Sequence, residues 1–231
     1  LAAFVSTGQM AVMNQAQIEQ ARFNMIEQQV RTWDVLDQQV LDTMNGVPRE
    51  AFVPERYASL AFADTNIPLG HEQVMMAPSL EGRLLQALAI EPQHSILEVG
   101  TGSGYLTACL ARLGRHVTSM DIMPDFIEAA GERLAGQGIA NVTLQAGDAL
   151  KDSGAARYDL IAVTGSLPVL RQQFHHNLEI GGRLFVISGE LPIMEAGLIT
   201  RVDEAHWSRE SLFETCIPPL INAESPDAFE F

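Results

Sequence analysis

The stretch ILEVGTGSGYL, residues 96–106, constrains this chain more than any other. A short apolar run is followed at once by glycines at 100, 102 and 104, and then by residues with helical patterning. Three glycines between a strand and a helix let the backbone turn sharply and approach a ligand with no Cβ in the way. Such a junction belongs to an open, parallel α/β sheet that binds ligands at the carboxyl ends of its strands. The spacing is Gly-x-Gly-x-Gly, one residue shorter than the Gly-x-Gly-x-x-Gly dinucleotide fingerprint, and it does not suit a pyrophosphate seated on the helix N-terminus.

The rest of the chain supplies the alternation such a sheet requires. SILEV (95–99), HVTSMD (116–121), NVTLQA (141–146), YDLIAVT (158–164) and RLFVIS (183–188) read as strands. Helices are expected over 103–113, from Pro124 to about Gly136, and over 168–178. Strand and helix in this rhythm imply right-handed crossovers and a sheet covered on both faces. Residues 196–204 and 210–217 alternate, and read as antiparallel strands closing the sheet.

Ahead of this region, Ile18, Met25, Ile26, Val30, Leu36, Val40, Leu41 and Met44 recur at helical spacing. A break is expected around Thr32–Asp34, and Asn45-Gly46 is a C-terminal stop. Residues 51–78 look irregular, after which Ser79 is placed as the cap of a helix carrying Leu80, Leu84, Leu85 and Leu88. Residues 1–13 read as a leader, disordered or foreign to the natural chain. Residues 14–92 read as a helical cap and 93–231 as the ligand-binding domain, cap and domain forming one compact unit.

Composition narrows the chemistry. A formal charge of −15 argues against a nucleic-acid or anionic-membrane surface. The only lysine, Lys151, lies outside any glycine-rich loop, which removes a phosphate-loop reading. Cys109 and Cys216 are far apart and read as reduced thiols of a cytoplasmic protein. No His-x-x-x-His spacing occurs, and no metal site is expected. Oligomeric state is left as monomer or homodimer.

Glu98, two residues before the first glycine, completes an acid-x-Gly-x-Gly-x-Gly pattern that resembles the first motif of S-adenosylmethionine (AdoMet) methyltransferases. Asp121 ends the next strand, where a carboxylate can accept hydrogen bonds from both ribose hydroxyls. Asp148, in AGDAL, sits where such enzymes contact the adenine. Over a wider span the chain resembles the protein-L-isoaspartate O-methyltransferase family: VPREAFVPERYASLAFADTNIPLGHEQ (47–73), LEVGTGSGYLTACLARLG (97–114), NVTLQAGDA (141–149) and YDLIAVTGSLP (158–168) match in order.

That resemblance implies a Rossmann-like, doubly wound α/β fold with a mainly parallel seven-stranded sheet, an N-terminal helical cap and an antiparallel C-terminal strand. It implies AdoMet as cofactor, bound by Glu98, Gly100, Thr101, Gly102, Ser103, Gly104, Asp121, Ile122, Asp148, Ala149 and Thr164. It implies methyl transfer to the free carboxylate of an isoaspartyl residue in a damaged protein or peptide. His71, Val74, Met75, Met76, Gly165 and Ser166 are the implied acceptor contacts. One position departs from the pattern. With Gly70, Gln73 and Pro78 aligned, Met76 stands on the family's active-site Ser and Glu72 on a Gly. A thioether donates no hydrogen bond, and Ser166 is the hydroxyl that can substitute. An AdoMet-dependent enzyme for another acceptor, including a small molecule, and an AdoMet-binding protein without turnover are the alternatives. Arg49 and Glu50 read as ion-pairing or capping residues, and Tyr105 as a packing residue or a ligand contact.

Overall fold

The computed structural model describes residues 14–170 and 172–226, so the leader expectation lies outside the described residues. Helix α1 (Gln15–Met25) is opened by a capping box between Asn14 and Gln17. It passes through a π turn (Ile26–Val30) and a 3-10 turn (Arg31–Trp33), and Asp34, with φ 61°, ends it. Helix α2 (Gln38–Gly46) is capped by Asp37.

The segment that looked irregular holds a hairpin, β1 (Ile67–Gly70) and β2 (Gln73–Met75), joined by His71 and Glu72. Both turn residues have positive φ, 50° and 59°. A two-residue hairpin turn of this hand needs left-handed backbone at both positions and normally recruits Gly or Asn, so the usual signal is missing. Helix α3 (Pro78–Leu88) begins two residues earlier than expected, with Ala77 at the cap in place of Ser79 and Pro78 in the first turn. Its free amides are satisfied from the preceding loop: Ala77 N–H donates to Asn66 Oδ1 (3.0 Å) and Ser79 N–H to Asp64 Oδ1 (3.1 Å).

The remaining elements are β3 (Ser95–Val99), α4 (Tyr105–Leu113), β4 (His116–Asp121), α5 (Pro124–Gly136), β5 (Val142–Ala146), β6 (Tyr158–Leu167), α6 (Gln173–His176), β7 (Leu178–Glu190), β8 (Ile193–Arg201) and β9 (Trp207–Thr215). They form a seven-stranded sheet in the order β5-β4-β3-β6-β7-β8-β9, with parallel pairing through β7 and antiparallel pairing of β7 with β8 and of β8 with β9. Only β8 runs against the other six strands, because β9, antiparallel to β8, runs with the rest; the sheet thus has the single antiparallel strand expected near the C-terminus. The helix expected over 168–178 shrinks to Gln173–His176. The cause is length: β6 is ten residues long and rises about 30 Å. The ten residues 168–177 must return that distance to reach the start of β7, whereas a ten-residue helix spans only about 15 Å.

One apolar cluster runs from Met25 and Leu41 of the cap through Leu84 and Tyr105 to Phe185 and Ile217, so cap and sheet share a core. A second lies on the other sheet face, around Leu97, Ile161, Phe174 and Val186. No helix among the described residues is long and apolar enough to cross a membrane.

Candidate active site

Strand order reverses direction at β3, whose neighbours β4 and β6 lead the chain to opposite edges of the sheet. Open α/β sheets bind ligands in the crevice outside this switch point. A cleft lies there, walled by the glycine loop, the ends of β4 and β6, the β1–β2 hairpin and the C-terminal tail.

The loop is built around its glycines. Gly100, Gly102 and Gly104 have φ of 99°, 50° and 84°, which side-chain-bearing residues rarely adopt. A Cβ on Gly100 would lie 2.2 Å from Thr164 Oγ1, and one on Gly104 would lie 3.0 Å from the Ala130 Cβ. Thr164 Oγ1 donates to the carbonyls of Gly100 (2.7 Å) and Val99 (3.0 Å), tying the loop to β6. Asp121 accepts from Gly102 N–H and Met123 N–H, both at 2.9 Å. Burial raises its pKa above the ordinary carboxylate value, and those backbone donors offset part of the rise.

Of the residues assigned from sequence, Gly100, Thr101, Gly102, Ser103, Asp121, Ile122, Ala149, Thr164, Val74, Met75, Met76 and Gly165 wall the cleft. Five do not. Glu98 lies beneath the loop, fully buried, and accepts from Thr107 Oγ1 and Ser119 Oγ, each at 2.5 Å. Ser119 Oγ in turn meets Thr101 Oγ1 at 2.6 Å, so Glu98 reaches the loop only through Ser119. Burial pushes its carboxyl up to about 8. Gly104 faces α5 and not the cleft. Asp148 is engaged by Leu150 N–H (3.0 Å), Asn222 Nδ2 (2.9 Å) and Lys151 Nζ (3.3 Å). His71 extends to the start of α5, where its Nε2 meets Asp125 Oδ2 at 2.9 Å and its ring packs edge-on against Phe126. Ser166 is fully buried and its Oγ donates to Ile217 O (3.0 Å), so its hydroxyl is turned to the tail and away from the cleft that Met76 walls.

The cleft also has walls that the motifs missed. Leu220 and Ile221 come from the tail, which is stitched to β6 by Ser166 N–H to Pro218 O and Leu220 N–H to Ser166 O, both 3.0 Å. Only the fold brings these residues to β6, and no local pattern marks them. Glu81 is different, for it stands on the apolar face of α3, three and four residues before Leu84 and Leu85. An acid on that face was the available signal. Arg49 and Glu50 do form ion pairs, with Glu81 and Arg22 respectively. Tyr105 is fully buried, with Arg49 stacked on its ring, 4.7 Å from the centroid. Among the described residues, no cluster of three or more His, Cys, Asp or Glu could hold a metal.

Glycine loop, strand-end acid and switch-point cleft on this sheet define a Rossmann-like methyltransferase fold. The comparisons with known proteins refine that class. The sequence model of the family described as protein-L-isoaspartate(D-aspartate) O-methyltransferase matches residues 20–220, and the chain belongs to that family. Named protein-L-isoaspartate O-methyltransferases from Rhodopseudomonas palustris and Protochlamydia amoebophila are 35% and 36% identical to it over 202 and 204 residues. Each alignment spans 87% of this chain, and 93% and 96% of the respective relative. A crystal structure from Plasmodium falciparum, described as such an enzyme with S-adenosyl-L-homocysteine bound, superposes with a TM-score of 0.73. It is 20% identical, with 88% of this chain and 97% of that one covered, and it supports the fold.

Proposed function

We propose that the chain is an AdoMet-dependent protein-L-isoaspartate O-methyltransferase, acting on the free carboxylate of isoaspartyl residues in proteins or peptides. The observation that carries the reading is the cradle at the switch point: a glycine loop with no room for a Cβ at Gly100, beside the Asp121 carboxyl. These residues fit the proposed cofactor. Thr101, Gly102 and Ser103 would line its methionine end, Asp121 its ribose hydroxyls, and Ile122, Gly147 and Ala149 its adenine. Bound AdoMet would supply an electrophilic methyl group.

The chain's own task is then placement. A carboxylate is ionised at neutral pH, its ordinary pKa being about 4, and needs no base to become a nucleophile. Holding the acceptor in line with the methyl group is an orientation effect worth up to ~7–11 kcal/mol in favourable cases. Val74, Met75 and Met76 on the hairpin, with Gly165 on β6, form the dry wall against which the acceptor packs. Similarity to the curated relatives over most of their length favours this reading over another acceptor or binding without turnover. Two unpaired thiols, Cys109 and Cys216, suit the reducing conditions of a cytoplasmic location.

The test is a methylation assay with labelled AdoMet on an isoaspartyl peptide and its aspartyl isomer side by side. Label in the isoaspartyl peptide alone is expected, with Met76→Ser raising kcat. Equal labelling of both isomers, or none from folded enzyme that binds the cofactor, refutes the proposed acceptor.

A further inference from the structure

A buried carboxylate in the cleft has no task so far. Glu81, on the first turn of α3, is 1% exposed yet walls the cleft beside Met76, Ser103 and Leu106. Its Oε2 accepts from Arg49, a guanidinium that is itself fully buried. Arg49 also donates to Met76 O at 2.6 Å and stacks on Tyr105, so its position is fixed by α3, the hairpin and α4 together. The Oε1 of Glu81 accepts no hydrogen bond among the described residues and is the oxygen left for a ligand. Of the described residues that wall the cleft, only Glu81 and Asp121 carry carboxylates, and none is a lysine, arginine or histidine. Asp121 already accepts two backbone amides at the end of β4. A cleft charged in this way is matched to a cation.

We propose that Glu81 is the anionic partner of the α-ammonium of the cofactor's methionine moiety, with Arg49 as the clamp that aims it. The assignment rests on the AdoMet reading above. Arg49 holds one carboxylate oxygen and leaves the other to accept from the ammonium, a charge-assisted hydrogen bond in a water-poor site. A buried ion pair draws much of its worth from further hydrogen bonds to its polar atoms, and the ligand would supply the one that Glu81 Oε1 lacks, Arg49 Nε remaining without a partner among the described residues.

The assignment has a proton signature. The charged and titratable groups facing Glu81 are Arg49, Asp64, Glu98, Tyr105 and Cys109. Burial raises the Glu81 carboxyl to about 7, although Arg49 pulls in the opposite direction. An ammonium favours the ionised form, so ligand binding below pH 7 must expel a proton from Glu81. Affinity should therefore fall as the pH drops from 8 to 6.

The experiment is calorimetric titration of the full chain with three compounds at pH 6 and 8, in buffers of different ionisation enthalpy. S-adenosyl-L-homocysteine carries the ammonium, its desamino analogue lacks it, and 5′-methylthioadenosine lacks the whole amino-acid end. The wild type should bind S-adenosyl-L-homocysteine about tenfold more weakly at pH 6 than at pH 8, with proton release, and the other two without that dependence. Glu81→Gln should bind S-adenosyl-L-homocysteine at least about tenfold more weakly at pH 8 and lose the proton release, while 5′-methylthioadenosine binding is unchanged.

If the desamino analogue shows the same pH dependence as S-adenosyl-L-homocysteine on the wild type, Glu81 is not the ammonium's partner. That comparison needs no variant and stands even if Glu81→Gln misfolds. Unaltered affinity and proton release in a folded Glu81→Gln overturns the assignment while the cofactor reading survives. Failure of the wild type to bind any of the three compounds overturns both.

Discussion

The two sides of the cleft are built by different means. The nucleoside side is backbone: a loop whose glycines leave no space for side chains, locked by Thr164 and Asp121. The opposite wall is side chains on a three-residue strand, Val74 and Met75 with Met76 following, braced from behind by the buried Arg49–Glu81 pair. Backbone cradles tolerate almost no substitution, because their shape is the binding site. A wall of flexible thioethers tolerates exchange, since Met adapts to irregular gaps. Exchange is therefore expected to cost more in the glycine loop than at Met75 and Met76 on the opposite wall.

The comparison can be broken first at its brace. Arg49→Ala leaves the Glu81 carboxylate buried without its cation and Met76 O without its donor. A loss of about 3–5 kcal/mol is expected, read as a lowered urea midpoint. A change under about 1 kcal/mol would mean that the brace is idle. Next in size is the cradle. Gly100→Ala forces a left-handed φ and a collision with Thr164 Oγ1, for about 1–3 kcal/mol of strain. Binding of S-adenosyl-L-homocysteine should drop by roughly two orders of magnitude, the equivalent of about 3 kcal/mol, and binding at wild-type strength would show the loop to be more yielding than its packing implies.

A third test concerns the carboxyl beneath the cradle. Glu98 has a pKa raised to about 8, so the folded protein holds a proton there that the unfolded chain has lost. Its contribution to stability is fully present below the unfolded pKa of about 4.5 and is lost as pH rises through 8. Urea midpoints should fall between pH 5 and 9, and Glu98→Gln should flatten that slope; parallel slopes would exclude Glu98 as its source. The smallest effect is expected at the rim. His71 and Asp125 pair across the cleft entrance but are exposed. His71→Ala should weaken S-adenosyl-L-homocysteine binding by no more than about threefold, and a tenfold loss would promote the hairpin from wall to lid.

Much of this was legible in order along the chain. β3, β4 and α5 fall where the alternation and the Pro124–Gly136 signals put them. Glycine spacing and the strand-end Asp121 located the cleft, because both act through the backbone within one β-α-β unit. Where sequence reasoning failed, distant groups supplied what the local signal lacked. The amides opening α3 are satisfied by Asp64 and Asn66, not by Ser79, and the short α6 follows from the height of β6.

Fold class and the glycine cradle could both be read from residues in order, since each depends on local φ preference, period and residue type. Where the hydroxyls and carboxylates point was settled by packing alone. Packing turned Ser166 toward the tail, sank Glu98 below the loop, and brought Arg49 within reach of Glu81, 32 residues away in sequence. Those outcomes rest on which buried polar atoms find partners across the core, and no single stretch of sequence carries both halves of such a pair.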